Sequence, residues 1–258
     1  MDNKEKMPII FVGHGSPLNA IEDNEYTRKW EEVGKSIPKP KAILAISAHW
    51  FTSGTRVSDI ENPKIVYDMY GFPRELYQVK YPVKGDPHLA RLAQDLISSE
   101  VSIDNEWGID HGTWSVLVKM YPNADIPVVQ LSVNRYASPE EHFKIGQELA
   151  SLREQGILIF ASGNVVHNLS MVDWEMQGGY DWAEDFDSYI KESIANGKFT
   201  NVINYKTSEK KWNEAIPTPE HFNPLLYALG ASNASDKVTI FNNSSVMGSL
   251  SMTSYLFS

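Results

Sequence analysis

The 258-residue sequence contains no cysteine. That excludes a disulfide scaffold, a thiolate metal site and a cysteine nucleophile. Basic residues are also in deficit: 23 Lys and Arg face 33 Asp and Glu, leaving a formal net charge of −10. This balance argues against a general role on nucleic acid or at a membrane surface. No apolar run is long enough to span a bilayer, and Met1-Asp2-Asn3-Lys4-Glu5-Lys6 lacks the apolar segment of a signal peptide. The expectation is a cytoplasmic protein with neither a nucleic-acid nor a membrane partner. Three catalytic signatures are absent as well. There is no His-Glu-x-x-His, no third glycine to complete a dinucleotide fingerprint after Gly13-x-Gly15, and no Gly-x-Ser-x-Gly elbow.

What is present is an ordinary globular composition, 42% hydrophobic and 22% charged, with no internal repeat, low-complexity segment or linker. Strand-like and helix-like segments alternate along the chain. The predicted fold is a single α/β domain over residues 1–258, with a central mixed, mostly parallel sheet flanked by helices.

The organising stretch is Pro8-Ile9-Ile10-Phe11-Val12-Gly13-His14-Gly15-Ser16-Pro17. A continuous apolar run stopped by glycine suits a strand buried on both faces. His14 then falls just past the strand's carboxyl end, where open α/β sheets place their ligands. The same pattern returns. Ala42–Ile46 is a second apolar run leading into Ser47-Ala48-His49-Trp50, with a helix predicted between at Asn24–Lys35. A strand–helix–strand unit of this length predicts His14 and His49 at neighbouring strand ends. Ile157–Phe160 is a further buried strand and delivers Ser162-Gly163-Asn164-Val165-Val166-His167. His111 precedes a short apolar helix read as Trp114–Tyr121, and His221 falls in the first turn of a helix opened by Thr218-Pro219. Asp86-Pro87 and the capping box Ser138-Pro139-Glu140-Glu141 open two more helices, with His88 and His142 expected to be exposed on their first turns. Residues 180–214 read as mainly helical, and Val238–Phe241 and Ser251–Phe257 as closing strands.

Five of the seven histidines, His14, His49, His111, His167 and His221, thus fall at strand ends or a helix start beside small or turn-forming residues. In a cysteine-free chain, imidazoles gathered at one edge of a sheet point to a first-row metal. Tyr67, Tyr70, Phe72 and Tyr77 lie in an irregular segment and offer either a core hairpin or a wall for a planar ligand. Arg74, Lys80 and Arg135 are potential carboxylate partners, more often plain surface charges.

Together Gly13-His14-Gly15-Ser16-Pro17, Ser47-Ala48-His49-Trp50, Asp110-His111-Gly112-Thr113-Trp114, Gly163-Asn164-Val165-Val166-His167-Asn168-Leu169 and Pro219-Glu220-His221-Phe222 resemble the class III extradiol ring-cleaving dioxygenases. Within them they are most similar to the 4,5-DOPA dioxygenase branch, as is Tyr67-Asp68-Met69-Tyr70-Gly71-Phe72-Pro73. The motifs run in order from residue 8 to about residue 230. The resemblance implies a non-haem Fe(II) enzyme that opens a DOPA-like catechol beside its two hydroxyls with O₂. It implies metal ligands at His14, His49 and His221, with His167 as acid–base catalyst and also a candidate ligand. It implies a second active-site histidine at His111 and substrate contacts from Tyr70 and Phe72.

The chemistry limits this assignment. An octahedral ion that binds both catechol oxygens and O₂ keeps three protein ligands, so His167 must leave the metal in turnover if it binds at all. Glu220 is the alternative to His221, because a carboxylate is the usual third member of such a triad. Four imidazoles also suit zinc, and a zinc-dependent hydrolase is the competing enzyme reading. A non-catalytic interaction protein on the same fold is the third, and the presence of all five histidines speaks against it. Oligomeric state is not readable from the sequence.

Overall fold

The protein is described by a computed structural model over residues 6–258; Met1–Glu5, where most of the N-terminal reading falls, lie outside the described residues. In chain order the elements are β1 (Ile9–Gly13), α1 (Glu25–Ser36), β2 (Ala42–Thr52), β3 (Thr55–Val57), α2 (Pro87–Leu96), β4 (Val101–Ile103), α3 (His111–Met120), β5 (Val128–Asn134) and α4 (Pro139–Leu149). They continue with β6 (Ile157–Gly163), α5 (Asp181–Ala195), α6 (Phe199–Ile203), α7 (Trp212–Ala215), α8 (Asn223–Ala231), β7 (Val238–Phe241), β8 (Ser245–Val246), β9 (Leu250–Ser251) and β10 (Ser254–Phe257).

Eight strands form one sheet in the order β4-β3-β5-β2-β6-β1-β10-β7. The centre, β5-β2-β6-β1, is parallel, while β10 and β7 add antiparallel strands at one edge. The central strands are buried on both faces, which is why they read as unbroken apolar runs. Ile9 and Phe11 face a core shared with α2, α4, α5 and α8. Ile10 and Val12 face the opposite core, closed by α1 and α3. This is the mixed, mostly parallel α/β architecture that the sequence predicts. Among the described residues, no helix is long and apolar enough to cross a membrane.

Local signals place several helices as expected. Asp86 caps α2 and Ser138 caps α4 through a capping box with Glu141. Other expectations are corrected. His14 and His49 do not sit on neighbouring strands, because β6 lies between β1 and β2, parallel to both. β2 runs on to Thr52, and its register with β5 shifts between Ile46 and Phe51, so His49 lies within the strand at an irregularity that re-aims side chains. α3 begins at His111 rather than Trp114, because Asp110 caps it by accepting from the Thr113 N–H. α8 begins at Asn223: Thr218 donates its hydroxyl to Glu220 instead of capping, and Phe222 and Asn223 donate to the Pro219 carbonyl. The segment 251–257 breaks at Met252–Thr253 into β9 and β10.

His142 is fully buried, not exposed. A side chain at Gly146 would overlap the Tyr227 carbonyl, and one at Gly230 would overlap the Phe143 carbonyl. These two glycines let α4 and α8 approach closely, and His142 is enclosed with its Nδ1 3.0 Å from the Tyr227 hydroxyl.

Candidate active site

Five elements deliver one histidine each to the carboxyl end of the sheet. His14 follows β1, His49 sits in the irregular part of β2, and His111 opens α3. His167 lies four residues past β6, and His221 occupies the turn before α8. β1 and β2 are two strand spacings apart, roughly 10 Å, a gap that imidazoles reaching inward from both sides can close. The ring centroids of His14 and His49 are 5.1 Å apart, those of His49 and His111 3.9 Å, and those of His49 and His221 5.0 Å. His167 stacks on His221 at 3.5 Å. All five predicted site histidines are therefore brought together, while exposed His88 and buried His142 lie elsewhere. Backbone bonds fix the frame: His14 N–H donates to Gly163, Asn164 N–H to the His221 carbonyl, and His167 N–H to Ala215. Gly112 is required for the fit, since a Cβ there would stand 2.9 Å from the His49 ring.

The hydrogen bonds specify tautomers. Ser162 has one hydroxyl proton and donates it to the Gly112 carbonyl at 2.5 Å. It must therefore accept from His14 Nδ1, 2.9 Å away, which leaves the His14 Nε2 lone pair free. That lone pair is 3.2 Å from Nε2 of His49. Asp68 reaches two rings: its Oδ2 is 3.1 Å from His49 Nδ1 and its Oδ1 is 3.0 Å from His111 Nδ1. Oδ1 also accepts a bond from the His111 backbone N–H at 3.0 Å. His221 Nδ1 lies 3.3 Å from Glu220 Oε1, and its Nε2 is buried with no partner.

One ring nitrogen each from His14, His49 and His221 lies within 4.8 Å of the other two. With metal–nitrogen bonds of about 2.1 Å, two ligands at right angles on one ion stand about 3.0 Å apart, close to the His14–His49 spacing. The orphaned His221 nitrogen and the free His14 Nε2 lone pair, which faces His49 Nε2, fit a divalent metal. Asp68 forms a second group with His49 and His111, and Glu220 a third with His167 and His221.

Electrostatics keep most of these rings neutral. Burial, then the neighbouring histidines, hold His14 and His221 well below the usual imidazole range and depress His167 to about 3. His111 is lowered by burial and by His49. His49 differs: burial works to lower it, but Asp68, Asp110 and Glu220 outweigh that and raise it. Burial opposes the charge of Asp68, yet His111 and His49 hold its carboxyl well below the usual range. Burial and the Asp68 charge push Asp110 up. Asp110 nonetheless accepts from Ser47, Trp107, Thr113 and Gln130, and so anchors the start of α3.

A cavity of about 390 Å³ opens onto the histidines. Both predicted substrate contacts, Tyr70 and Phe72, line it, along with Leu169, Trp174, Met247 and Leu250. A larger, shallower groove of about 640 Å³ beside Tyr180, Trp182 and Lys210 contains no histidine and stands apart from this chemistry. Asp68 is the main residue that sequence reasoning missed. It stood in a segment already singled out, but no spacing tied it to His49 or His111.

The sequence profile described as the catalytic LigB subunit of aromatic ring-opening dioxygenase matches residues 8–258. The chain belongs to the LigB family. The 4,5-DOPA dioxygenase extradiol of Escherichia coli (strain K12) is 48% identical to this dioxygenase over 255 residues, covering 96% of this chain and 94% of that one. The protein of the same name from Beta vulgaris is 40% identical, covering 96% and 95%. A solved structure of an uncharacterized protein from Escherichia coli K12 superposes with a TM-score of 0.86 at 43% identity, over 98% of this chain and 100% of that one. Family and relatives agree on the class: this LigB-family member is an extradiol, ring-opening dioxygenase.

Proposed function

We propose that this dioxygenase holds Fe(II) on His14, His49 and His221 and uses O₂ to open a catechol ring beside its two hydroxyls. The observation that carries the reading is the convergence of these three rings, with His221 Nε2 buried and unpartnered and the His14 Nε2 lone pair freed by Ser162. A redox-active metal bound there supplies the electron path between the ring and O₂ that zinc does not. The rest falls to the chain's own residues. A metal held by these three imidazoles would keep room for the diol and O₂. Glu220, beside His221 Nδ1, orients that ring rather than replacing it.

His167 takes the proton of a catechol hydroxyl. Its low basicity comes from burial first, and then from the neighbouring His49 and His111. A catecholate at its side reverses part of that depression. His111, beside Asp68, lines the same cavity, as do Tyr70 and Phe72, which would contact the substrate ring. In the balanced reaction one carbon–carbon bond next to the diol breaks and both atoms of O₂ enter the product. One becomes the aldehyde oxygen and the other joins the new carboxylate.

The test is O₂ uptake by metal-stripped protein reloaded anaerobically with Fe(II) or Zn(II), then given catechol or DOPA in air. DOPA is the substituted catechol named by the relatives. The expected result is one O₂ consumed per yellow ring-opened semialdehyde with Fe(II), and none with Zn(II). No uptake with any catechol, despite tightly bound metal, would overturn the reading in favour of a hydrolase acting on esters or amides.

A further inference from the structure

We infer that Asp187, a carboxylate on α5 outside the cavity, is a positioning residue for the metal site: it anchors the segment 249–254, against which the loops of His14, His167 and His221 are set. The inference rests on the metal-site reading above and adds to it a residue that touches neither metal nor substrate.

The buried face of α5 is Ala183, Phe186, Ile190 and Ile194, and Asp187 falls on that same face. It is 3% exposed. Its Oδ1 accepts the Ser251 hydroxyl at 2.5 Å and its Oδ2 accepts the Thr253 hydroxyl at 2.8 Å. Lys191, one turn further along α5, donates to Asn243 instead. With neutral hydroxyls in place of a bound cation, burial pushes the Asp187 carboxyl up. An apolar side chain would fill this position at lower cost. What the carboxylate contributes is two directed bonds.

Those bonds hold a tight turn. The Ser251 hydroxyl, which donates to Asp187, also accepts from the Thr253 N–H at 3.2 Å. Met252 stands between the two anchored residues, against both glycines that flank His14. A Cβ on Gly13 would meet the Met252 carbonyl carbon at 2.7 Å, and one on Gly15 would overlap the Met252 sulfur. The Ser254 hydroxyl donates to the Met252 carbonyl at 2.9 Å and accepts from the Gly13 N–H at 3.0 Å. On the other side, Ser251 N–H donates to the Val166 carbonyl, and the Ser249 hydroxyl donates to the Asn168 carbonyl. His167 lies between these two acceptors and bridges Leu250. Asn164 completes the set: its side-chain amide donates to the Ser251 carbonyl and its N–H to the His221 carbonyl, each at 2.8 Å. One short segment thus braces the backbone beside His14 and His167 directly, and that of His221 through Asn164. His49 and His111 are held separately, beside Asp68.

The experiment measures metal binding rather than turnover. Metal-free protein is titrated anaerobically with Fe(II) and with Co(II) against a chromophoric chelator, and the Co(II) absorption spectrum is recorded at saturation. Asp187→Asn keeps the shape and loses one acceptor, and is expected to weaken binding roughly tenfold, as for groups that orient a ligand from behind, and to shift the Co(II) bands. Thr253→Val, which removes one donor, is expected to do the same. Asp236→Asn breaks the buried pair with Arg153, which also holds the Met7 and Ala231 carbonyls. It is the control for lost stability alone: its urea midpoint should fall while affinity and spectrum stay those of the wild type. Unchanged affinity and spectrum in Asp187→Asn, or in Thr253→Val should the first not fold, overturns the inference, as does an equal loss of affinity in Asp236→Asn. His14→Ala separates this failure from that of the reading beneath it. If His14→Ala loses Co(II) while Asp187→Asn binds it as the wild type does, the inference alone falls. If His14→Ala binds Co(II) as tightly as the wild type, the metal site itself falls.

Discussion

His167 and His221 lie face to face, their ring centroids 3.5 Å apart and their planes within 6° of parallel. An imidazole lone pair lies in the plane of its ring. An ion in the plane of His221 therefore stands a full stacking distance out of the plane of His167, and the two rings cannot both aim at it. Among the described residues, His221 groups with His14 and His49, whereas His167 groups with Glu220 and His221. The stacking supports a division of labour in which three histidines bind the metal and the fourth handles protons.

That division predicts different losses. His14→Ala and His221→Ala should lose metal through dialysis, with affinity down at least tenfold. His167→Ala should retain close to one equivalent while kcat falls by ~10²–10⁴, the range expected for a lost general acid–base. Metal analysis alongside turnover decides the matter. If His167→Ala releases metal as fully as His14→Ala, His167 is a ligand and the stacked geometry does not describe the working site.

Asp68 is expected to matter as much as a ligand without being one. Its two oxygens reach Nδ1 of both His49 and His111, and together with Asp110 and Glu220 it raises His49 against the pull of burial. Asp68→Asn keeps the shape and removes the charge. Metal affinity should drop by ~10–100-fold, as for other groups that orient a ligand from behind. An unchanged affinity would mean that packing alone aims the rings.

The legible parts of this protein are those encoded by neighbours in sequence. The β1 run into Gly13-His14-Gly15 and the caps at Asp86 and Ser138 announce themselves within a few residues. The five histidines could be grouped because each follows an apolar run or opens a turn. Strand order could not be read: β6 enters between β1 and β2 from more than a hundred residues away. Asp68 lies in a loop without periodicity and meets His111 across 43 residues. Near His221, Thr218-Pro219 carries a genuine helix-start pattern, but its hydroxyl is taken by Glu220 and the helix begins at Asn223. In each case the deciding contact is distant in sequence or competes with a local signal.

Ser162 offers a test of the tautomer argument. It accepts from His14 Nδ1 only because its own proton is committed to Gly112. Ser162→Ala removes the acceptor, freeing His14 to carry its proton on Nε2, where it blocks coordination. Metal affinity should fall roughly tenfold, and His14 should shift toward the Nε2–H tautomer in nitrogen NMR of the metal-free protein. Retention of the Nδ1–H tautomer would show that Ser162 does not set it.

His142 supplies a pH dependence outside the histidine cavity. Burial lowers its imidazole from the usual 6.5 to about 4. Above pH 6.5 the ring is neutral in both folded and unfolded chains, and its contribution is intact. Between pH 6.5 and 4 the unfolded chain takes up a proton that the folded one refuses, so stability falls by ~1.4 kcal/mol per pH unit. Below pH 4 both forms are protonated and the loss levels off at about 3 kcal/mol. His142→Gln keeps a polar partner for Tyr227 and removes the titration. Urea unfolding of both proteins at pH 7.5 and pH 5 cancels every other ionising group. Relative to the variant, the wild type should lose about 2 kcal/mol over that interval. A stability difference that does not change with pH would place the His142 pKa near its ordinary value and the ring within reach of water.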